Sequence, residues 1–293
     1  VKDAYCCAKK RNTLQPLEVF VRVTRQHQYK ILLALTLCLA SSRFSTAAEP
    51  ALSKDQIKKF LLNGKVVSSK QTSKGVTQPW RLTLTDGSLT HDAQFQSIDQ
   101  RKTSMQFATG NTEINFVDSY KYNIAAYALA ELLGVDDMLP VYVERKWKGQ
   151  VGSISWWLPV KMDEEDRLKR KISAPDTDAW NKKMYKIRVF NELVYDTDAN
   201  LTNVLIGEDW TAWRVDFSRA FRLFKDLRNA NNLVRCERQL FERLKALDEA
   251  ELTRNTKNYL TKPEVQAVMA RRDRIIAYFQ KLAAEKGENE IFY

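Results

Sequence analysis

The chain of 293 residues has only two His and four Cys. His27 and His91 stand alone, and Cys6, Cys7, Cys38 and Cys236 have no paired spacing, which excludes zinc-finger and other Cys/His metal patterns. Three of the four Cys fall within residues 1–48, so if that segment is removed Cys236 is the sole thiol and no internal disulfide can form. No internal repeat or low-complexity linker divides the rest, which reads as one continuous domain. A long apolar run is missing too. Ile31 to Ala40 is the main candidate and is too short to span a bilayer comfortably.

Ile31 to Ala40 lies in a recognisable context. Arg22, Arg25 and Lys30 precede it and the small residues Thr46 and Ala48 follow, the pattern of a signal peptide cleaved after Ala48. The expected destination is export, periplasmic or extracellular; membrane anchoring through an uncleaved segment is the alternative. Residues 1–48 hold eight Lys or Arg against two Asp or Glu, leaving +5 of the formal +11 on the remainder. A body that mildly basic fits an anionic ligand pocket better than a nucleic-acid surface, so no nucleic-acid partner is expected. At 44% hydrophobic residues and with seven Trp, it is globular and long enough for a substantial core.

The body starts with Ser53 capping a helix over Lys54 to Asn63. Strands are expected at Lys65 to Ser69, Trp80 to Thr85 and Leu89 to Ile98, with a turn at Asp86-Gly87. In the loop between the first two, Lys74 and Gly75 would let backbone amides approach phosphates; an ordinary hairpin loop is the competing reading. Residues 99–114 read as a loop, and Asp118 to Leu133 as an amphipathic helix closed by Gly134. A hairpin of Val141 to Trp147 and Val151 to Leu158 follows. Strand alternation lets at most one of Trp156 and Trp157 line a pocket. Asp163 to Lys171 is a charge run suited to a solvated helix face, or to an anionic substrate. A helix over Thr177 to Tyr195 leads into the loop at Asp198, and helices at Leu233 to Leu247 and Lys262 to Lys286 close the chain.

The segment 191–222, NELVYDTDANLTNVLIGEDWTAWRVDFSRAFR, carries the chemistry. Asn203 opens the apolar strand Val204 to Ile206, Gly207 to Asp209 form a turn, and the return strand Thr211 to Val215 delivers Asp216 beside Asn203. An amide oxygen and a carboxylate converging at one end of a hairpin suit Mg²⁺ or Mn²⁺. Asp198, five residues before Asn203, is placed to accept a proton.

DANLTNVLI followed by DFSRAF resembles the catalytic and metal loops of the protein-kinase-like superfamily, in its atypical branches: phosphoinositide kinases, HipA-type kinases, and the four-jointed and secretory-pathway casein kinase group. The ending Asp216, Arg219, Phe221 favours the last. NIAAYALAELLGVDDMLPVYVER, Asn123 to Arg145, is similar to that group's helix C and following strand. The resemblance implies an α+β, bilobal protein-kinase-like fold, with a small antiparallel-sheet N-lobe plus helix C (49–160) and a mainly helical C-lobe (161–293). It implies ATP as donor, Asp198 as base, Asn203 and Asp216 as metal ligands, an adenine pocket near Trp156-Trp157, and a hydroxyl acceptor on a protein, sugar or lipid. Two positions depart from it: Asn123 stands where the helix-C Glu is usual and Gln96 near the strand Lys, so the usual ion pair is missing. Lys121, within a turn of Asn123, is the candidate replacement for the phosphate-contacting cation; a solvated Lys on a helix face is the competing reading. The alternatives to a phosphotransferase are an exported pseudokinase or nucleotide-binding module, and a set of turn residues with Asp216 paired to Arg219.

Overall fold

The computed structural model describes residues 52–72, 79–107 and 110–293. Lys74, Gly75 and the signal-peptide-like segment therefore lie outside the described residues. Among the described residues no helix is long and apolar enough to cross a membrane.

Helix α1 (Lys54–Asn63) starts where Ser53 and Gln56 cap each other reciprocally. It leads into β1 (Lys65–Gln71), β2 (Trp80–Thr85) and β3 (Thr90–Gln96). With β6 (Tyr142–Trp147) and β7 (Gln150–Trp156) these make a five-stranded antiparallel sheet in the order β1-β2-β3-β7-β6. Alternation sets which face is buried: Leu82 and Leu84 of β2 and Ala93 and Phe95 of β3 point into the core while Arg81, Thr83, Asp92 and Gln94 are at least partly exposed. Gly152 permits the β3–β7 approach, because a Cβ there would sit 2.4 Å from the Gln96 carbonyl oxygen and 2.8 Å from the Phe95 ring.

Residues 99–114 are not a loop. β4 (Asp99–Gln106) and β5 (Thr112–Ser119) form a two-stranded antiparallel ribbon. β4 is exposed at every position but Met105 and so carries no hydrophobic period to betray a strand. The helix expected from Asp118 begins later: α2 spans Lys121–Leu133, and Asp118 and Ser119 belong to β5. Nor is α2 amphipathic in its packing, since nine of its thirteen residues are buried. It lies between β6 and β7 on one side and helices α5 (Arg238–Ala246) and α6 (Glu249–Thr256) on the other, and Ala125, Ala126 and Ala130 keep it slim enough for both. Gly134 ends it in a left-handed conformation, φ 66°.

The second half is mainly helical. β8 (Val160–Asp163) pairs with β9 (Val204–Gly207), which pairs with β10 (Ala212–Arg214). α3 (Glu164–Lys169) is shorter than the charge run predicts and buries Glu164 against Arg167 instead of presenting a wholly solvated face. α4 (Thr177–Val194) is capped by Asp176 and buries Trp180, Ile187 and Phe190. α7 (Lys262–Lys286) opens with the Thr261–Glu264 capping box, and α8 (Glu288–Ile291) follows. The helix expected from Leu233 starts only at Arg238, and α6 is an element that periodicity did not reveal. One hydrophobic core runs through sheet and helices and includes Cys236, whose thiol burial pushes up to about 12.

Gly152→Ala is expected to destabilise the fold by about 1–3 kcal/mol, because the intruding methyl meets backbone that cannot rotate away. Urea denaturation of Gly152→Ala against the wild type measures the difference.

Candidate active site

Three short segments converge at the end of the β9–β10 hairpin. The first follows α4, where Tyr195 takes a left-handed conformation, φ 48°, and turns the chain sharply. Asp196 is then buried and its Oδ1 accepts the Asp198 backbone N–H at 2.9 Å. Asn200 caps a 3₁₀ turn over Leu201–Asn203, which brings Asn203 back onto the loop. The Asn203 Nδ2 donates to the Asp198 carbonyl at 3.1 Å, so the amide's nitrogen is committed and its oxygen is the end left for a cation.

The second segment is the metal-binding candidate. The Asn203 carbonyl accepts the Val215 N–H at 3.0 Å, which places Asp216 next to the Asn203 loop. Asp216 itself is left-handed, φ 62°, a conformation that costs a non-glycine residue energy and is held by its surroundings. Arg214 supplies part of that restraint. It is fully buried, forms an ion pair with Asp196, and donates from Nη1 to the Asp216 carbonyl at 3.2 Å. Burial pushes the Asp196 carboxyl up, with Arg214 opposing.

The third segment joins β3, α2 and β5. The Gln96 Oε1 accepts the Asn123 Nδ2 at 3.1 Å, and the Asn123 Oδ1 accepts the Phe217 N–H at 2.7 Å. Both amides are buried. Where the resemblance leads one to expect a Lys–Glu ion pair, a neutral pair thus joins strand to helix and bonds the residue after Asp216. From β5, the Ser119 N–H donates to the Ser218 carbonyl at 2.8 Å. Asp118, next to it, accepts from the Ser218 hydroxyl and feels the charges of Asp216 and Asp198; burial pushes its carboxyl up.

Lys121 pairs with Asp99 of β4 at 2.8 Å, and its side chain is about one-third exposed. Arg219 pairs with Glu113 of β5, not with Asp216.

Beside the hairpin a cleft of about 1040 Å³ opens between the five-stranded sheet and the β8–β9 strands. His91, Tyr142, Trp156, Trp157, Leu205 and Val215 are among its lining residues. Both Trp residues line it, contrary to the alternation rule, because β7 ends at Trp156 and Trp157 lies beyond the strand. Trp156 stacks on His91 with ring centroids 3.5 Å apart, and the Arg81 guanidinium lies 4.3 Å from the Trp157 ring. Flat aromatic walls and apolar side chains from the far strands suit a planar heterocycle. Burial draws the His91 pKa down from 6.5, against the pull of Asp92.

A divalent cation would find hard oxygens here in the Asp216 carboxylate and the Asn203 amide oxygen. Among the described residues no three His, Cys, Asp or Glu side chains gather to hold a metal unaided. That fits an ion bound by one or two carboxylates and completed by phosphate oxygens and water. Asp118, Asp196 and the Gln96–Asn123 bond escape sequence reasoning as a set, because their partners are remote in the chain; only Asp196, as a loop cap, left a local signal.

The sequence matches no family model and no curated protein. Its fold, however, is similar to solved structures. A hydra Fam20 structure with sugar aligns with TM-score 0.60 and 16% identity over 82% of this chain and 93% of that one. A Golgi casein kinase aligns at 0.59 and 13%, and a Golgi casein kinase with Mn/ADP bound at 0.56 and 12%, each over 82% of this chain and 79% of the other. The chain has a protein-kinase-like fold of the atypical Fam20 type, α+β with the antiparallel sheet and helices that fold requires.

Arg214→Met would strand the buried Asp196 charge and is expected to cost about 3–5 kcal/mol in urea unfolding. Arg238→Met, at the exposed pair with Glu288, should cost less than about 1 kcal/mol. For His91 the unfolded chain takes up its proton first as pH falls. Its contribution is thus complete above pH 6.5 and is lost as pH drops through the lower folded value. The melting temperature should fall across that window, less so in His91→Phe, and the His91 ring should titrate by NMR below 6.5.

Proposed function

We propose that this chain is a metal-dependent, kinase-like phosphotransferase that moves a phosphoryl group from a nucleoside triphosphate, ATP being the expected donor, to a hydroxyl acceptor. The observation that carries this reading is the assembly of Asp198, Asn203 and Asp216 around one hairpin end beside an aromatic-walled cleft. In phosphoryl transfer the protein chiefly positions reactants and neutralises charge. Asp198 accepts the proton of the acceptor hydroxyl, and its backbone is fixed by Asp196 so that the carboxylate stays in register with the donor phosphate. Asn203 and Asp216 hold Mg²⁺ or Mn²⁺, which when bound screens the negative charge on the phosphates. The base stacks in the cleft against the Trp156–Trp157 wall. Lys74 and Gly75 fall in the loop between β1 and β2 and are proposed to approach the phosphates through backbone amides. The acceptor is a hydroxyl of a protein, sugar or lipid. The signal-peptide-like segment, together with the likeness to a Golgi casein kinase, supports export as the destination.

A second reading, a pseudokinase that binds nucleotide without transfer, draws on the Gln96–Asn123 bond. A Lys at that depth needs a carboxylate or phosphate partner, whereas the amide pair is satisfied within the fold. Lys121, engaged by Asp99, does not make up the loss by any contact among the described residues.

Titration of the purified chain with ATP and Mn²⁺ is expected to raise its melting temperature by several degrees, since ligand at about a hundred times Kd adds about 2.7 kcal/mol. Asp216→Ala should abolish the rise. Asp198→Ala should keep it while lowering phosphate transfer, read as release of labelled γ-phosphate, about 10²- to 10⁴-fold. A metal-dependent rise with no transfer in the wild type would select the second reading; no rise with either metal would overturn both.

A further inference from the structure

Asp118 is an aspartate with more than nine-tenths of its surface buried, and its Oδ1 has no hydrogen-bond partner. Its carboxylate accepts from the Ser218 hydroxyl and lies in electrostatic range of Asp216 and Asp198. A buried oxygen left unsatisfied costs about 1–3 kcal/mol, more when it is charged, and a second carboxylate beside it adds repulsion. A fold does not ordinarily leave such a group bare unless something positive is to occupy the space.

Neighbouring positions sharpen the choice. Asn123 has both ends of its amide committed, to Gln96 and to the Phe217 N–H, so helix α2 offers no free oxygen there. Asp118 reaches the same loop from the end of β5, held by the Ser119–Ser218 backbone bond one residue along. The charge of Arg219 also acts on Asp118, but its guanidinium pairs with Glu113 and leaves the Asp118 Oδ1 without a hydrogen bond.

We infer that Asp118 is a direct ligand of the divalent cation, the second carboxylate beside Asp216, so that metal binding in this chain draws on the β5 ribbon and not on helix α2. This rests on the reading of Asp216 and Asn203 as the metal site and adds to it a residue that motif spacing does not supply. Two carboxylates and one amide oxygen leave coordination positions for phosphate oxygens and water, in keeping with the habits of Mg²⁺ and Mn²⁺. A consequence is that the β4–β5 ribbon, whose outer strand β4 is exposed, is tied to the site's affinity for the ion.

The test is Mn²⁺ binding to the full chain, read by electron paramagnetic resonance of free Mn²⁺ with and without ADP, for wild type, Asp118→Asn and Asp216→Asn. Expected is a loss of affinity of about tenfold or more in each variant. Asp118→Asn without metal should melt at or above the wild-type temperature, since a buried charge has been removed, which separates lost ligation from lost folding. Asp118→Glu, which keeps the carboxylate, should bind more tightly than Asp118→Asn. If Asp216→Asn loses Mn²⁺ while Asp118→Asn binds like wild type, Asp118 is no ligand and its oxygen instead shares a proton with Asp216; the metal site then stands without it. If wild type takes up no Mn²⁺ in either condition, the underlying metal reading fails and the inference with it.

Discussion

Asp196 and Arg214 form an ion pair from which water is excluded on both sides, and the geometry of the site hangs from it. Asp196 fixes the backbone of Asp198 through one oxygen and the guanidinium through the other; the guanidinium in turn holds the carbonyl of Asp216. Arg228 donates to the Asp196 carbonyl at 2.7 Å, which ties the chain beyond the hairpin to the same point. Asp198 and Asp216 are thereby set relative to each other by one charged contact and not by two independent loops. Buried pairs of this kind add little net stability but are costly to break singly, so they hold a geometry better than they hold a fold.

A second layer of restraint surrounds that pair. Arg271 of α7, fully buried, donates to the carbonyls of Leu193, Arg222 and Phe224, joining the end of α4 to the segment after Asp216. Burial lowers its pKa to about 9, which still leaves it charged at neutral pH. Opposite, the Gln96–Asn123 amides connect the five-stranded sheet and α2 to Phe217 without any charge. Arg271 and the Asp196–Arg214 pair hold their side with charged groups, whereas the Gln96–Asn123 link is neutral. A neutral link asks for no counter-ion, so the sheet-to-helix connection is complete whether or not a phosphate lies in the cleft.

Legibility in the sequence followed the range of the interactions. The cap at Ser53, the turn at Asp86-Gly87 and the helix α4 are local and legible in the sequence. So is the β9–β10 hairpin, because Asn203 and Asp216 flank a short apolar run with a turn between. β4 is exposed along nearly its whole length, and a strand with no buried face has no period-two signature, so the ribbon is not legible in the sequence. Treating Trp156 and Trp157 as alternating strand residues failed at a strand end, where the pleat no longer governs direction. The partner that Lys121 finds, Asp99, is not legible either, because only the β4–β5 pairing brings it alongside.

By itself the sequence determined the α+β composition, the order of a small sheet before a helical half, and the residue types at Asp198, Asn203 and Asp216, all of which depend on periodicity and turn chemistry within a few residues. Tertiary structure alone decided that Asp196 meets Arg214, that Asn123 bonds Phe217, and that Asp118 meets Ser218. Those contacts join residues 18 to 100 positions apart. They form only when α2, β5 and the hairpin pack together, since the cost of burying each polar group is offset only by a partner that folding brings to it.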